Sequence, residues 1–215
     1  MDDKLWVGTF SKGLKVIDTR SGVVLKTYQK NDSPRSLIDN SIFAICRTAT
    51  GDIYLGTMFG LVKYNKQSDD FDRIPELNGK FVYDIKEDSG GNIWLATYAN
   101  GAYCYNVNDR KWKNYVHDDK DNTSLPYNKV SSVFEDSHRQ IWLTTQGGGF
   151  CIFHPESETF TSYNSTNGLP SDVVYQIVED KEGQLWLTTN NGLVCFQPNT
   201  EAMNCLLYTS PSPRD

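Results

Sequence analysis

IWLAT, residues 93–97, decides the fold because it recurs. LWVGT stands at 5–9, IYLGT at 53–57, IWLTT at 141–145 and LWLTT at 185–189. Each copy reads apolar, aromatic, apolar, small, Thr. A glycine follows within a few residues, at Gly13, Gly60, Gly101, Gly149 and Gly192. Four residues past each glycine comes a bulky side chain: Ile17, Tyr64, Tyr105, Phe153 and Phe196. The motif aromatics Trp6, Tyr54, Trp94, Trp142 and Trp186 are spaced by 48, 40, 48 and 44 residues. A repeat at such a period is read before any single element, because it sets the architecture.

Working outward from the motif, four first segments precede it: 41–46, 81–85, 130–134 and 173–178. Beyond the glycine, outer segments end at Val24 to Tyr28, Phe71 to Ile74, Trp112 to Tyr115, and Phe160 to Tyr163. All are short and rich in Val, Ile, Tyr, Phe and Trp, and turn residues such as Ser89-Gly90-Gly91-Asn92 separate them. These are strands joined by hairpins. No stretch shows sustained helical spacing of apolar residues, so essentially no helix is expected.

Four antiparallel strands per unit of roughly 40–50 residues describe a propeller blade. The expectation is an all-β propeller of four-stranded antiparallel blades, four to five of them, over residues 1–206. The motif strand is apolar on consecutive residues, so it needs cover on both faces, and its Trp becomes a wedge between neighbouring blades. Only four first strands accompany five second and third strands, which reads as an incomplete part of a larger propeller. Residues 207–215, LYTSPSPRD, match no repeat element and are set aside as a foreign or disordered tail. Met203 to Leu206 still fits an outer strand.

Composition narrows the function. The net charge of −6 is spread over 215 residues with no Lys/Arg block, which argues against nucleic acid. No apolar run approaches the roughly 18 residues of a membrane helix, so this segment makes no membrane contact of its own. MDDKLW at the N-terminus lacks the basic start and apolar core of a signal peptide. The five cysteines, Cys46, Cys104, Cys151, Cys195 and Cys205, form no CxxC pair, which disfavours a zinc site or disulfide framework. Cys104 and Cys195 share one repeat position inside apolar runs and read as small buried hydrophobes.

Chemistry is not found. There is no Gly-x-Ser-x-Gly elbow, no His-Glu-x-x-His, and Leu14 stands where a phosphate loop needs Lys. The first strands offer Ala44, Asp84, Ser132 and Gln176 at one matched position, and a lone carboxylate is no acid–base pair. The turn residues Asp88, Asp136 and Asp180 read as backbone caps rather than calcium ligands. The acidic run His117 to Asn122 reads as a solvated loop. No catalytic, metal or cofactor site is therefore expected.

The long loops, Gln29 to Asn40, His117 to Asn128 and Asn164 to Asp172, share one propeller face with the turns after each motif Thr. Loops on a rigid scaffold carry function. Ligand-binding candidates there are Tyr98, Asn100, Gln146, Asn190 and Asn191, because aromatics and amides suit the faces and hydroxyls of sugars. They also serve as ordinary turn residues.

The unit Glu-Asp-x-x-Gly-x-Ile/Leu-Trp-Leu-x-Thr-x-x-x-Gly-Leu-x-x-Phe/Tyr, seen best at 168–196, resembles the two-component regulator propeller repeat. Copies at 36–65, 80–106 and 124–153 follow it. Departures are Tyr54 for Trp, Thr48 for the turn Asp, and Ala102 and Phe150 for the Leu after Gly. The resemblance implies a periplasmic, non-catalytic sensor responding to oligosaccharide. It also implies attachment to a membrane-spanning histidine kinase, hybrid in type, in a dimeric receptor engaged in phosphorelay. A propeller-type lyase or hydrolase and a protein-interaction scaffold are the competing readings.

Overall fold

The computed structural model describes residues 3–206; the tail at 207–215 lies outside the described residues. The chain divides into two compact units, Met1–Asn114 and Tyr115–Asp215. Among the described residues every regular element is a strand, apart from single 3-10 turns at Pro75–Leu77 and Ser165–Asn167.

The first unit begins with a three-stranded sheet, β1 (Lys4–Gly8), β2 (Leu14–Asp18) and β3 (Val24–Tyr28). Two four-stranded antiparallel sheets follow in simple meander order. They are β4 (Ile42–Arg47), β5 (Ile53–Thr57), β6 (Gly60–Asn65) and β7 (Asp70–Arg73), then β8 (Val82–Glu87), β9 (Ile93–Thr97), β10 (Ala102–Asn106) and β11 (Lys111–Tyr115). The second unit repeats the plan. It holds β12 (Val130–Glu135), β13 (Ile141–Thr145), β14 (Phe150–His154) and β15 (Thr159–Tyr163), then β16 (Val174–Glu179), β17 (Leu185–Thr189), β18 (Gly192–Gln197) and β19 (Ala202–Leu206). Each sheet is a propeller blade, with the motif strand second in order.

The motif strands are covered as their composition demands. All five residues of β9 and of β13 are buried. In the second unit Trp142 packs with Val174, Ile177, Leu187 and Phe196 of the next blade, its ring 5.7 Å from that of Phe196. In the first unit Tyr54 takes the same part against Ile85, Leu95 and Tyr103. Trp6 does so against Leu55, Val62 and Phe71. Burying a ring of this size contributes about 2–3 kcal/mol by area.

Two turns per blade explain why the repeat keeps its polar residues. At the first hairpin, Asp136 Oδ1 accepts from the backbone N–H of His138 (2.9 Å) and Gln140 (2.8 Å), and Oδ2 accepts from Trp142 Nε1 at 2.8 Å. Asp88 and Asp180 hold Trp94 and Trp186 in the same way, at 2.9 and 2.7 Å. The Asp is thus both turn cap and indole partner. Where Tyr54 replaces Trp, no indole N–H exists, and Thr48 Oγ1 serves the turn by accepting from Asp52 N–H at 3.0 Å. At the second hairpin, the motif Thr hydroxyl donates to the glycine carbonyl: Thr97 to Gly101 at 2.6 Å and Thr145 to Gly149 at 2.9 Å. Gly149 sits at φ +77°, and a Cβ there would lie 2.0 Å from the Tyr163 carbonyl oxygen. Only glycine fits that crossing.

Candidate functional site

In each unit the candidate positions are the residues just after the motif Thr. These residues are Phe10, Met58, Tyr98, Gln146 and Asn190. Four of them are pinned identically. Their backbone N–H groups donate to the residue just before the first strand: Met58 to Ser41 (3.2 Å), Tyr98 to Phe81 (3.0 Å), Gln146 to Lys129 (2.8 Å) and Asn190 to Val173 (3.2 Å). The motif Thr hydroxyl also accepts from the turn, from Asn100 N–H at 3.0 Å and from Asn191 N–H at 3.1 Å. Each hairpin is therefore rigid, and its tip side chain is presented on a fixed backbone.

The sequence-predicted residues fall in two groups. In the first unit Tyr98 is 44 % exposed and its ring stacks on Phe81, centroids 5.5 Å apart and planes 19° from parallel. Asn100 is half-buried beside it in the same turn. In the second unit Gln146 lies opposite Val173 in an isolated antiparallel bridge and Asn190 N–H donates to the Val173 carbonyl, so two neighbouring blades bring them to one strand start. Asn190 Oδ1 accepts from the Tyr175 hydroxyl, and Asn191 Nδ2 donates to the Pro170 carbonyl at 3.4 Å.

Sequence reasoning missed a feature of the first strands. In β4, β8, β12 and β16 the register with the second strand shifts by one residue, leaving Phe43, Tyr83, Ser131 and Tyr175 as bulge residues. A bulge re-aims its side chain and recurs beside functional sites. Three of these four are aromatic, and the position precedes the matched residues Ala44, Asp84, Ser132 and Gln176 by one. That one-residue offset was the available signal. In the first unit the bulge rings join the hairpin rings. Phe10 meets Phe43 at 5.8 Å, Phe43 meets Phe81 at 4.5 Å and Tyr83 at 5.8 Å, and Phe81 meets Tyr98. Phe10 is 70 % exposed and Tyr83 36 %. In the second unit the Ser131 hydroxyl is buried with no partner among the described residues.

The remaining candidates resolve into structure. Burial pushes the Cys104 thiol up to about 12, and Cys195 is raised by the same cause while its Sγ–H donates to Gln184 Oε1 at 2.7 Å. His117 uses its ring nitrogens on the Leu125 carbonyl (2.8 Å) and Asp119 (3.0 Å), while Asp121 caps Thr123. Among the described residues no group of three or more His, Cys, Asp or Glu is placed to hold a metal ion. A separate cleft of about 850 Å³ in the first unit is lined by Lys4, Arg47, Lys63 and Lys66 together with Trp6 and Asp52. It lies at the first and third hairpins, away from the rings just described. Lys63 there is paired with Asp52 at 2.8 Å.

Three stretches, residues 36–59, 76–99 and 168–191, match the family model of the two component regulator propeller. The extracellular domain of a hybrid two component system from B. thetaiotaomicron is 28 % identical and superposes on all of this chain with a TM-score of 0.78. The chain covers 28 % of that domain. Histidine kinase P4 of Formosa agariphila is 30 % identical over an alignment 177 residues long that covers 78 % of this chain and 12 % of the kinase. Virginiamycin B lyase of Staphylococcus aureus, 16 % identical, has the same fold at a TM-score of 0.71, over 98 % of this chain and 69 % of the lyase. The chain thus spans less than a third of the first two relatives.

Proposed function

We propose that this chain, built of two-component regulator propeller repeats, is ligand-sensing propeller from the extracellular, periplasmic part of a two-component receptor, and that it binds an oligosaccharide. The observation that carries the reading is the backbone-pinned post-Thr position, which presents Tyr98 in the first unit and Gln146 and Asn190 in the second. Rings offer apolar faces to a sugar and amides offer both donors and acceptors to its hydroxyls. The likeness to the extracellular domain of a hybrid two component system supports the sensor role. On this reading residues 1–206 are repeats throughout and perform no reaction. A membrane-spanning histidine kinase, paired in a dimer, receives the signal.

The test is a thermal-shift screen of the chain against oligosaccharides, followed by calorimetric titration of any hit. A saturable, sugar-specific rise in melting temperature that Gln146→Ala or Tyr98→Ser reduces supports the reading. A cooperative melt that no sugar shifts, together with capture of a defined protein partner, turns the assignment toward an interaction scaffold.

A further inference from the structure

The first and last blades each leave open one half of a blade-to-blade junction. Inside the chain such a junction is built one way. The motif aromatic of one blade clusters with two residues of the next: the one just before its own motif aromatic, and the bulky one four past its glycine. Trp6 clusters with Ile53 and Tyr64, Tyr54 with Ile93 and Tyr105, and Trp142 with Leu185 and Phe196. In the last blade this receiving row stands in register, Leu185 opposite Phe196 and Phe196 opposite Met203. The first blade repeats the row, with Leu5 opposite Ile17 and Ile17 opposite Val24. Successive side chains of a strand point to opposite faces, so Leu5 looks away from the face on which Trp6 meets the second blade. Leu5 is 52 % exposed, whereas Leu185 is fully buried.

The last blade offers the matching half. Val178, Trp186 and Cys195 stand in one row across it, as Phe134, Trp142 and Ile152 do across the blade before. The latter three pack into the junction with the last blade. Trp142 is buried there, whereas Trp186 is half-buried and Val178 is 56 % exposed. Leu206, opposite Leu193, holds the place that Tyr163 holds opposite Phe150, and it is 58 % exposed. The polar groups of the two open faces agree as well. At the inner junctions an outer-strand tyrosine crosses to the acid at the next blade's third hairpin: the Tyr28 hydroxyl donates to Asp69 and that of Tyr163 to Glu201. Asp69 and Glu201 are the left-handed residues of those hairpins, each donating its N–H to the carbonyl four residues back. In the first blade that position is Gly22 (φ +70°), whose N–H bonds Asp18 in the same way and around which there is open space. Tyrosine without its acid, or the acid without its tyrosine, would leave a polar group facing an apolar seam. Leu206 against Gly22 leaves none.

We infer that copies of this chain associate head to tail through these faces, with Trp186, Val178 and Leu206 of one copy seated on Leu5, Ile17 and Gly22 of the next. The occupant is a second copy because the seat reproduces the chain's own junctions. The seat's one departure from them, glycine for the acid, is matched by the departure at the chain's other end, leucine for tyrosine. Lys15, in the next row of the first blade beside Val7, carries its charge on a stem long enough to span apolar surface. The contact is heterologous, so each added copy leaves one face of each kind free for another.

Sedimentation velocity of the whole chain over a concentration series is the test. The average mass is expected to rise with concentration beyond that of one copy. Two variants then dissect the contact. Val178→Asp with Leu206→Asp spoils the wedge, and Leu5→Asp with Val24→Asp spoils the seat, all four at exposed positions. Each variant alone is expected to associate at least about tenfold more weakly, equivalent to about 1.4 kcal/mol. An equimolar mixture of the two is expected to associate again, because an intact wedge meets an intact seat, and to stop at two copies. Thermal melts that match the parent verify the fold of each variant; where a double change lowers the melt, Leu206→Asp or Leu5→Asp alone takes its place. A parent that stays at one copy at every concentration overturns the inference and leaves these faces to another blade. Association that survives in both variants, or a mixture that associates no better than its components, overturns it by placing the contact on another surface.

Discussion

At the scale of single residues, the repeat allows one position to be judged against its equivalents. The first hairpin of a blade turns through a left-handed residue, which is Gly51 (φ +86°), Gly91 (φ +83°) and Gly183 (φ +77°) in three blades but Arg139 (φ +64°) in the fourth. A side chain in that conformation costs about 1–2 kcal/mol, part of which glycine's flexibility takes back. Arg139→Gly is therefore expected to stabilise the chain by about 0.5–1 kcal/mol in a urea melt. Gly149→Ala tests the opposite case. Its new Cβ meets a backbone carbonyl, so the loss is expected to reach about 3 kcal/mol or more. Gly22→Ala has a similar φ of +70° but open space around it, so it is expected to lose only about 1 kcal/mol. Asp136 is buried and accepts three N–H groups, one from the Trp142 wedge. Asp136→Ala strands those donors, and a loss of about 2–4 kcal/mol is expected from the same melts.

At the scale of elements, blades are joined by polar clasps as well as by wedged rings. Glu179, at the end of β16, accepts from the Ser137 backbone N–H (2.8 Å) and hydroxyl (2.6 Å) in the preceding blade's turn. Glu87 accepts from Ala49 N–H at 2.7 Å in the same way. In the first unit a second clasp joins β3 to the turn before β7. Lys26, Tyr28 and Tyr64 all donate to the Asp69 carboxylate, and these bonds, that of Lys26 foremost, bring its pKa down to about 2. A carboxylate with a depressed folded pKa stabilises above its unfolded value near 4, and that contribution is lost as pH falls toward 2. The melting temperature of the chain is thus expected to drop between pH 4 and 2 by more than that of Asp69→Asn, with solvent screening keeping the difference small.

These clasps mark where the sequence was legible and where it was not. Strand order followed from IWLAT and its equivalents, because burial on both faces leaves a continuous apolar run. The Glu-Asp dipeptide was visible as a pattern, but the long reach of its Glu into another blade has no local signature. The outer hairpins turn through Asp69, Arg110, Glu158 and Glu201 at positive φ without glycine, so nothing in composition announced them. The bulges were hidden for a related reason. An extra residue reverses the alternation of a strand, so Phe43 and Tyr83 looked like ordinary strand residues rather than parts of a surface. Tyr98 could be picked out from its turn alone, whereas the ring contacts around it needed three blades in space.

At the scale of the whole molecule, a repeat array separates scaffold from function. Its stability is close to a sum of blade and neighbour terms, so ring residues at hairpin tips can change without unfolding the blades beneath them. That separation makes a receptor-level outcome predictable under the sensor reading. A ligand shifts a two-state receptor only by its differential affinity for the two states. If the exposed rings bind sugar and take no part in passing the signal on, Tyr98→Ser lowers affinity for both states alike. In a receptor carrying this stretch, the ligand concentration for half-maximal kinase output then rises roughly tenfold, matching about 1.4 kcal/mol of lost binding, while the maximal output is unchanged. The measurement is a ligand dose–response of a kinase-driven reporter, with equal receptor abundance verified for each variant. A lowered maximum at an unchanged midpoint would place Tyr98 in the coupling between states instead of in the binding surface, and would assign the rings to relay.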